Sequence, residues 1–444
     1  MGFVNIVDSQ NLAQKIEIKS IEINGNKHTN SQIILRELSF KVGDTIYNKE
    51  FHQDQSRKQL LNLYLFNEVK VDLDSQVAKV NVIERWYIWP SPKLDYADRN
   101  LNQWLLTKDP KRLIYGIDLE IYNFRGRNET VKLNFRGGYT KLMSLSYVIP
   151  YFNKKLSWGL TFNAMTSSNK EVWYKTDSNK VQFFKDNDRD LIRRKSVEIG
   201  FVHRKKIFNY HRIYTGFRQI NVKDTVVSVD VNDRYLFGKV TTQNEWYSGY
   251  LYTSDKRDFK GYPLQGSLLK MTTEIGLFNT AEFSGQFKFS YAKYFKLNKR
   301  FFNANSITLR LMEFYSVPYN KITALGYDRD YIRGYELYVI DGLNFGLGKS
   351  EFKYCFFNKT LPFLKGVNNY NQIPLTLYLT SFVDYGVVVT SKSRMSSNTY
   401  PNKFQYGFGS GLNVVAYYDY VMRIEYSFNK FLNNRFYLSF VTAI

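Results

Sequence analysis

Leu269-Lys-Met-Thr-Thr-Glu-Ile275 sets Leu269, Met271, Thr273 and Ile275 against Lys270, Thr272 and Glu274, and Phe287-Lys-Phe-Ser-Tyr291 repeats the pattern soon after. Successive side chains on a strand point to opposite faces, so each run predicts a strand with one apolar and one polar side. Tyr115, Ile117, Leu119 and Ile121 alternate in the same way, as do Val197, Ile199 and Phe201. From Trp86 to the last residue the period stays at two, and no segment reads as a helix. Many such segments separated by polar turns fit a membrane-spanning β-barrel; a soluble sandwich or propeller is the competing reading. The polar faces decide between them. They carry Lys, Arg, Glu and Gly too often for a dry core, where an unpaired charge costs several kcal/mol, whereas a wet lumen accepts them. Aromatic clusters at Trp86-Tyr-Ile-Trp89, Tyr151-Phe152, Tyr294-Phe295 and Tyr417-Tyr418 suit the two membrane interfaces. Residues 89–444 allow roughly 22 residues for each of about sixteen tilted strands with their connections.

Composition agrees. Aromatics make up 17% of the 444 residues and Pro numbers 9, which excludes a disordered or collagen-like chain. Mean hydropathy is −0.40, and no long uncharged apolar stretch exists to make a membrane helix. The one cysteine, Cys355, permits neither an internal disulfide nor a cysteine-built metal site. The N-terminus, Met1 to Asp8, lacks a basic start and meets Asp8 before an apolar run of signal length, so either export is absent or a signal is not part of this sequence. Met1-Gly2 fails as a myristoylation start because position 6 is Ile.

Residues 16–88 read differently, as a small α+β unit in the order strand, helix, helix, strand, strand. Ile16, Ile18, Ile21 and Ile23 end at Gly25-Asn26; Asn30 can cap a helix carrying Ile33, Ile34 and Leu38; a second helix starts near Lys49 and carries Leu60, Leu61 and Tyr64. Phe66–Leu73 and Val77–Ile83 are the closing strands. Residues 1–15 are taken as an N-terminal tail.

Gly326-Tyr-Asp-Arg-Asp-Tyr-Ile-Arg333-Gly334-Tyr335, taken with Phe382-Val-Asp384-Tyr-Gly386, closely resembles the BamA/TamA/FhaC superfamily of outer-membrane assembly and secretion barrels. The resemblance implies a long loop folded back into the barrel lumen around residues 326–340, where Arg333 of the loop tip meets Asp384 of a strand, with Glu351 as a second acidic partner. Alternation agrees: Leu375, Leu377, Leu379, Val383, Val387 and Val389 share one face, which leaves Asp384 and Gly386 on the lumenal side. Gly407, Gly409 and Gly411 also share a face, and missing side chains there leave room for an inserted loop. A planar guanidinium at 333 suits a forked contact with carboxylate that Lys cannot make. Asp255-Lys-Arg257-Asp258 with Pro263-Leu-Gln-Gly266 resembles a mid-barrel turn of the family, and Asn123-Phe-Arg-Gly126 its early hairpin. Residues 16–88 resemble a single POTRA domain. Two features depart from the family: Tyr64-Leu65 stand where a glycine usually precedes the buried aromatic Phe66, and the chain ends in Ile444, not an aromatic.

Other signals are rejected. Gly342-Leu-Asn-Phe-Gly-Leu-Gly-Lys-Ser350 is mis-spaced for a phosphate-binding loop. His28, His52, His203 and His211 have no ligand spacing, so no metal is expected. No Gly-x-Ser-x-Gly elbow exists, no catalytic residue is assigned, and no cofactor is expected. The +22 charge comes without a nucleic-acid-binding motif, so attraction to lipopolysaccharide phosphates or acidic partners is the simpler account, and Lys256-Arg-Asp-Phe-Lys260 reads as a solvated turn.

The fold expected is an all-β transmembrane barrel preceded by one small α+β POTRA domain. The resemblance implies a bacterial outer-membrane location with the POTRA in the periplasm, and a role in assembling other β-barrel proteins. Phe66, Val69 and Val71 mark the segment expected to take an unfolded client by strand addition. Trp86, Tyr96, Phe436, Phe440 and Ile444 mark a seam between the first and last strands that could open. Expected partners are unfolded outer-membrane clients, other assembly or lipoprotein subunits, and lipopolysaccharide or outer-membrane lipid. A dedicated secretion pore and a non-translocating barrel subunit are the alternatives.

Overall fold

A computed structural model describes residues 15–444, apart from residue 75 and residues 97–107, 187–188, 206, 315, 363–371, 391–397, 417–419 and 441–444. The chain divides into two compact units, one running up to Trp86 together with the Arg125–Asn128 turn, the other comprising the rest.

The first unit contains β1 (Ile16–Glu17), β2 (Ser20–Asn24), α1 (Ser31–Glu37), β3 (Thr45–Ile46), α2 (Lys49–Leu61), β4 (Phe66–Asp72) and β5 (Val77–Glu84). Both helices begin on asparagine caps: Asn30 accepts the Gln32 amide at 2.9 Å and Asn48 the Phe51 amide at 3.0 Å. The sheet order is β2-β5-β4, with β5 parallel to β2 and antiparallel to β4. Ile18, Ile34, Leu60, Leu65, Phe66, Leu73 and Val80 fill an apolar core against the helices. Tyr64 stands at φ 59°, the left-handed region that glycine enters at no steric cost. A tyrosine therefore holds a left-handed backbone two residues ahead of Phe66.

The second unit is a sixteen-stranded antiparallel sheet. Its strands are β6 (Ile88–Tyr96), β7 (Leu113–Phe124), β8 (Glu129–Gly138), β9 (Thr140–Ile149), β10 (Trp158–Asn169), β13 (Ile192–Lys205), β14 (Asn209–Val222) and β15 (Thr242–Asp255), continuing with β16 (Gly266–Phe278), β17 (Phe283–Lys296), β18 (Phe301–Phe314), β19 (Asn344–Pro362), β20 (Gln372–Val389), β21 (Gln405–Ala416), β22 (Tyr420–Asn429) and β23 (Asn434–Phe440). A separate hairpin, β11 (Glu171–Asp177) and β12 (Lys180–Lys185), rises from the connection between β10 and β13. Each barrel strand pairs with the next in chain order, the arrangement of an up-and-down barrel. We call the rim at which β6 begins the near rim and the other the far rim.

Burial is inverted relative to a soluble protein. Ile213, Trp246, Ile275, Leu277, Leu311 and Leu379 stand on the outer face, each more than half exposed. Their neighbours Arg212, Glu245, Glu274, Arg310 and Thr380 turn inward and are buried or half-buried. An apolar exterior around a polar interior is the pattern a lipid-embedded barrel requires. The inner wall is laced with pairs: Arg218 meets Glu274 at 2.9 Å, Lys321 meets Glu245 at 3.0 Å, and Tyr214 donates to Glu274 at 2.8 Å.

Candidate functional site

The connection from β18 to β19 leaves the far rim and turns into the lumen. Its base is gripped by Arg310, whose Nε donates to the Leu343 carbonyl at 3.0 Å and whose Nη2 donates to the Gly342 carbonyl at 3.3 Å. Leu325 and Ile340 bridge the two arms of the loop, and Lys288 of β17 holds Asp330 at 2.5 Å. Leu325, Ile332, Tyr335 and Ile340 then pack with Phe345, Leu347, Val388 and Tyr400 as an apolar cluster against the wall. Desolvating these groups ties the loop down before any charge is counted.

The tip carries Arg333, 3% exposed. Its Nε and Nη2 donate to the two oxygens of Asp384 on β20 at 2.9 and 2.7 Å, and its own amide donates to Asp384 Oδ2 at 3.1 Å. Nη1 reaches Glu351 Oε2 on β19 at 2.9 Å and Glu425 Oε1 on β22 at 3.0 Å. The guanidinium carbon lies 3.7 Å from the centroid of the Phe382 ring. Burial alone disfavours the cation, yet Asp384, Glu351 and Glu425 hold the arginine well above even its ordinary high pKa. One loop residue therefore ties together β19, β20 and β22, a task that needs the planar five-donor fork.

Gly334 and Gly407 show why the tip fits. Gly334 sits at φ +92°, and a Cβ there would stand 2.7 Å from the Phe428 carbonyl oxygen. A Cβ on Gly407 would stand 1.9 Å from the Arg333 carbonyl oxygen, so the β21 backbone can be approached because the side chain is missing. At Gly386 the added carbon would press on Ile332 and Leu325, each at 3.1 Å. Tyr335 donates to Gln405 at 3.0 Å and accepts the Lys430 amide at 3.3 Å.

The structure thus brings together Arg333, Gly334, Tyr335, Asp384, Glu351 and Gly386. Sequence reasoning missed Glu425 and Gln405, and quoted Phe382 in its motif without assigning it the contact with Arg333. Alternation could have found Glu425, because Arg423 and Glu425 lie opposite Met422, Ile424 and Tyr426. The β11–β12 hairpin reaches over the same loop: Thr176 donates to Asp341 at 3.1 Å, Val339 donates to the Asn179 carbonyl at 2.9 Å, and the Asn179 amide donates to Asn398 at 2.8 Å. No local pattern announced these contacts.

The other expected sites are placed as follows. Phe66, Val69 and Val71 belong to β4, an edge strand, but their side chains are buried in the POTRA core, so the edge offers a client its backbone and not those three side chains. Trp86 lies just ahead of β6 and Phe436 on β23, both well exposed. The side chains of Tyr96 and Phe440, and all of Ile444, lie outside the described residues, as does the N-terminal tail up to residue 14. One reading is corrected. Lys256–Lys260 is only partly a solvated turn: Lys256 is exposed, residues 257–260 are half-buried, Arg257 forks onto Asp255 with both distances at 2.8 Å, and neighbouring Tyr262 is 3% exposed.

Comparison with known proteins agrees with this geometry. The model of the Omp85 superfamily domain matches residues 123–434, and that of POTRA, described as a surface antigen variable number repeat, matches residues 16–84. Among solved structures the chain is similar to BamA from Haemophilus ducreyi lacking POTRA domains 1–3, at TM-score 0.53 and 14% identity over 94% of this chain and 81% of that one. It is also similar to CdiB from Escherichia coli, at TM-score 0.56 and 12% identity over 97% and 76% of the two chains. CdiB from Acinetobacter baumannii aligns at TM-score 0.50 and 12% identity over 96% and 73%. No curated protein matches. With the family model covering most of its length, and a POTRA ahead of a sixteen-stranded barrel, the chain belongs to the Omp85 superfamily.

Proposed function

We propose that this protein sits in the bacterial outer membrane, with its POTRA on the periplasmic side, and helps other β-barrel proteins enter that membrane. The POTRA takes an unfolded client by adding a strand to the free edge of β4, using main-chain hydrogen bonds. The ends of the barrel sheet, β6 and β23, then form a seam at which client strands are templated without exposing unpaired amides to lipid. The observation that carries this reading is the occupied lumen: the Arg333 loop is fastened to three strands and roofed by the β11–β12 hairpin, which favours work at the wall over passage through the middle.

Quantitative outer-membrane proteomics after depletion of the protein tests this. A broad fall in many barrel proteins is the expected result. Loss of one exported protein with other barrels unchanged would overturn it in favour of a dedicated secretion pore. A cross-link between engineered cysteines in β6 and β23 should also stop assembly, and undiminished assembly in the cross-linked protein would rule out the seam.

A further inference from the structure

The β15–β16 turn, residues 256–265, lies at the near rim and folds inward. Its frame is rigid on its own terms. Arg257 forks onto Asp255, and Asp258 Oδ1 accepts the amides of Phe259, Leu264 and Gln265 at 2.9, 3.0 and 3.2 Å. Gly266 closes the turn at φ +107°, where a Cβ would stand 2.1 Å from the Lys256 carbonyl oxygen.

This frame presents Tyr262 to strands well removed from its own. The ring packs with Phe302 of β18, Val415 of β21 and Val421 of β22, and its centroid lies 5.0 Å from that of Tyr378 on β20. Lys353 of β19 places its ammonium 4.2 Å from the ring centroid, and Asn413 of β21 donates to the hydroxyl at 2.9 Å. A turn rooted between β15 and β16 reaches β20–β22 by crossing the barrel interior. Asn413 Nδ2 is also 3.4 Å from Glu351 Oε1, while Glu351 Oε2 holds Arg333. The loop from the far rim and the turn from the near rim therefore meet through Asn413 and Glu351.

We propose that this turn is a second plug, headed by Tyr262, which closes the near mouth of the lumen beneath the Arg333 loop and must swing out before a solute or chain can enter from that side. The geometry suits a latch. Its internal hydrogen bonds travel with it, and Tyr262 and Leu264 set it against the wall. The inference is independent of the assembly role and holds equally for a secretion pore.

The single cysteine supplies the reporter, since Cys355 packs against the Tyr262 cluster together with Leu264. The full chain is reconstituted in phosphatidylcholine vesicles, and alkylation of Cys355 by a charged maleimide is timed, with folding checked by heat-modifiable gel migration. Tyr262→Ala should raise the alkylation rate at least tenfold, while Tyr262→Phe, which keeps the ring, should stay within twofold of wild type. Asp258→Ala removes the turn's three amide contacts at a residue outside the Tyr262 cluster and should raise the rate likewise, which covers the case of a Tyr262→Ala barrel that does not fold. Wild-type rates in folded Tyr262→Ala or Asp258→Ala protein would overturn the plug.

Discussion

The POTRA and the barrel fill their interiors in opposite ways. In the POTRA, Ile18, Leu60, Phe66 and Leu73 are withdrawn from water and the interior is apolar. In the barrel, Arg333, Asp384, Glu351, Lys353 and Glu425 are equally withdrawn beside two apolar clusters, while Ile213, Trp246, Ile275 and Leu311 face outward. The first interior is stabilised by roughly 25 cal/mol per Å² of apolar surface buried. The second leans on strand pairing and on charges that satisfy one another, so removing one partner leaves the others stranded. Where a domain must stand alone in water, patterning alone suffices; where lipid takes the apolar face, specificity moves to a few paired charges.

The largest blow to the POTRA side of this contrast is Phe66→Ala, which leaves a cavity and should cost about 3–5 kcal/mol. Urea-dependent proteolysis of the full chain should show the POTRA lost at lower urea while the barrel still migrates as folded. Joint loss of both would deny that the two interiors are independent. On the barrel side, Asp384→Asn removes the fork but leaves Glu351 and Glu425 on Arg333, so a smaller loss of about 1.5–3 kcal/mol is expected, read as a lower temperature for the gel-shift transition. Gly407→Ala keeps every charge but places a methyl against the Arg333 carbonyl; a loss of about 1–3 kcal/mol by the same transition would separate fit from charge. The smallest effect is expected at Tyr64, where Tyr64→Gly relieves left-handed strain and should stabilise the POTRA by about 1 kcal/mol or less, read as a higher urea midpoint and offset by loss of the ring's contact with Arg85.

The sequence foretold some of these features and hid others for physical reasons. Period-two alternation is local, so the outward face of Ile275 and the inward face of Glu274 were readable from neighbours alone. Arg333 and Asp384 were readable because both stand in motifs that resemble those of the family. The same alternation places Glu425 in the lumen, although nothing nearby marks it as a partner of Arg333. Tyr262 was hidden because the charges beside it, Lys256 to Lys260, suggest solvent, and their pairing with Asp255 depends on the folded turn. The contact of Thr176 with Asp341 joins residues 165 apart and leaves no local trace. Tyr64 is another such case, since its left-handed backbone at φ 59° is not announced by its residue type.

The central claim, that Arg333 fastens the loop inside the lumen, is tested most directly by hydrogen exchange of residues 326–340 in the reconstituted protein, comparing wild type with Arg333→Ala and Arg333→Lys. Protection should collapse in Arg333→Ala, which strands Asp384, Glu351 and Glu425, and fall partway in Arg333→Lys, which keeps the charge but not the fork. Equal protection in all three would contradict it.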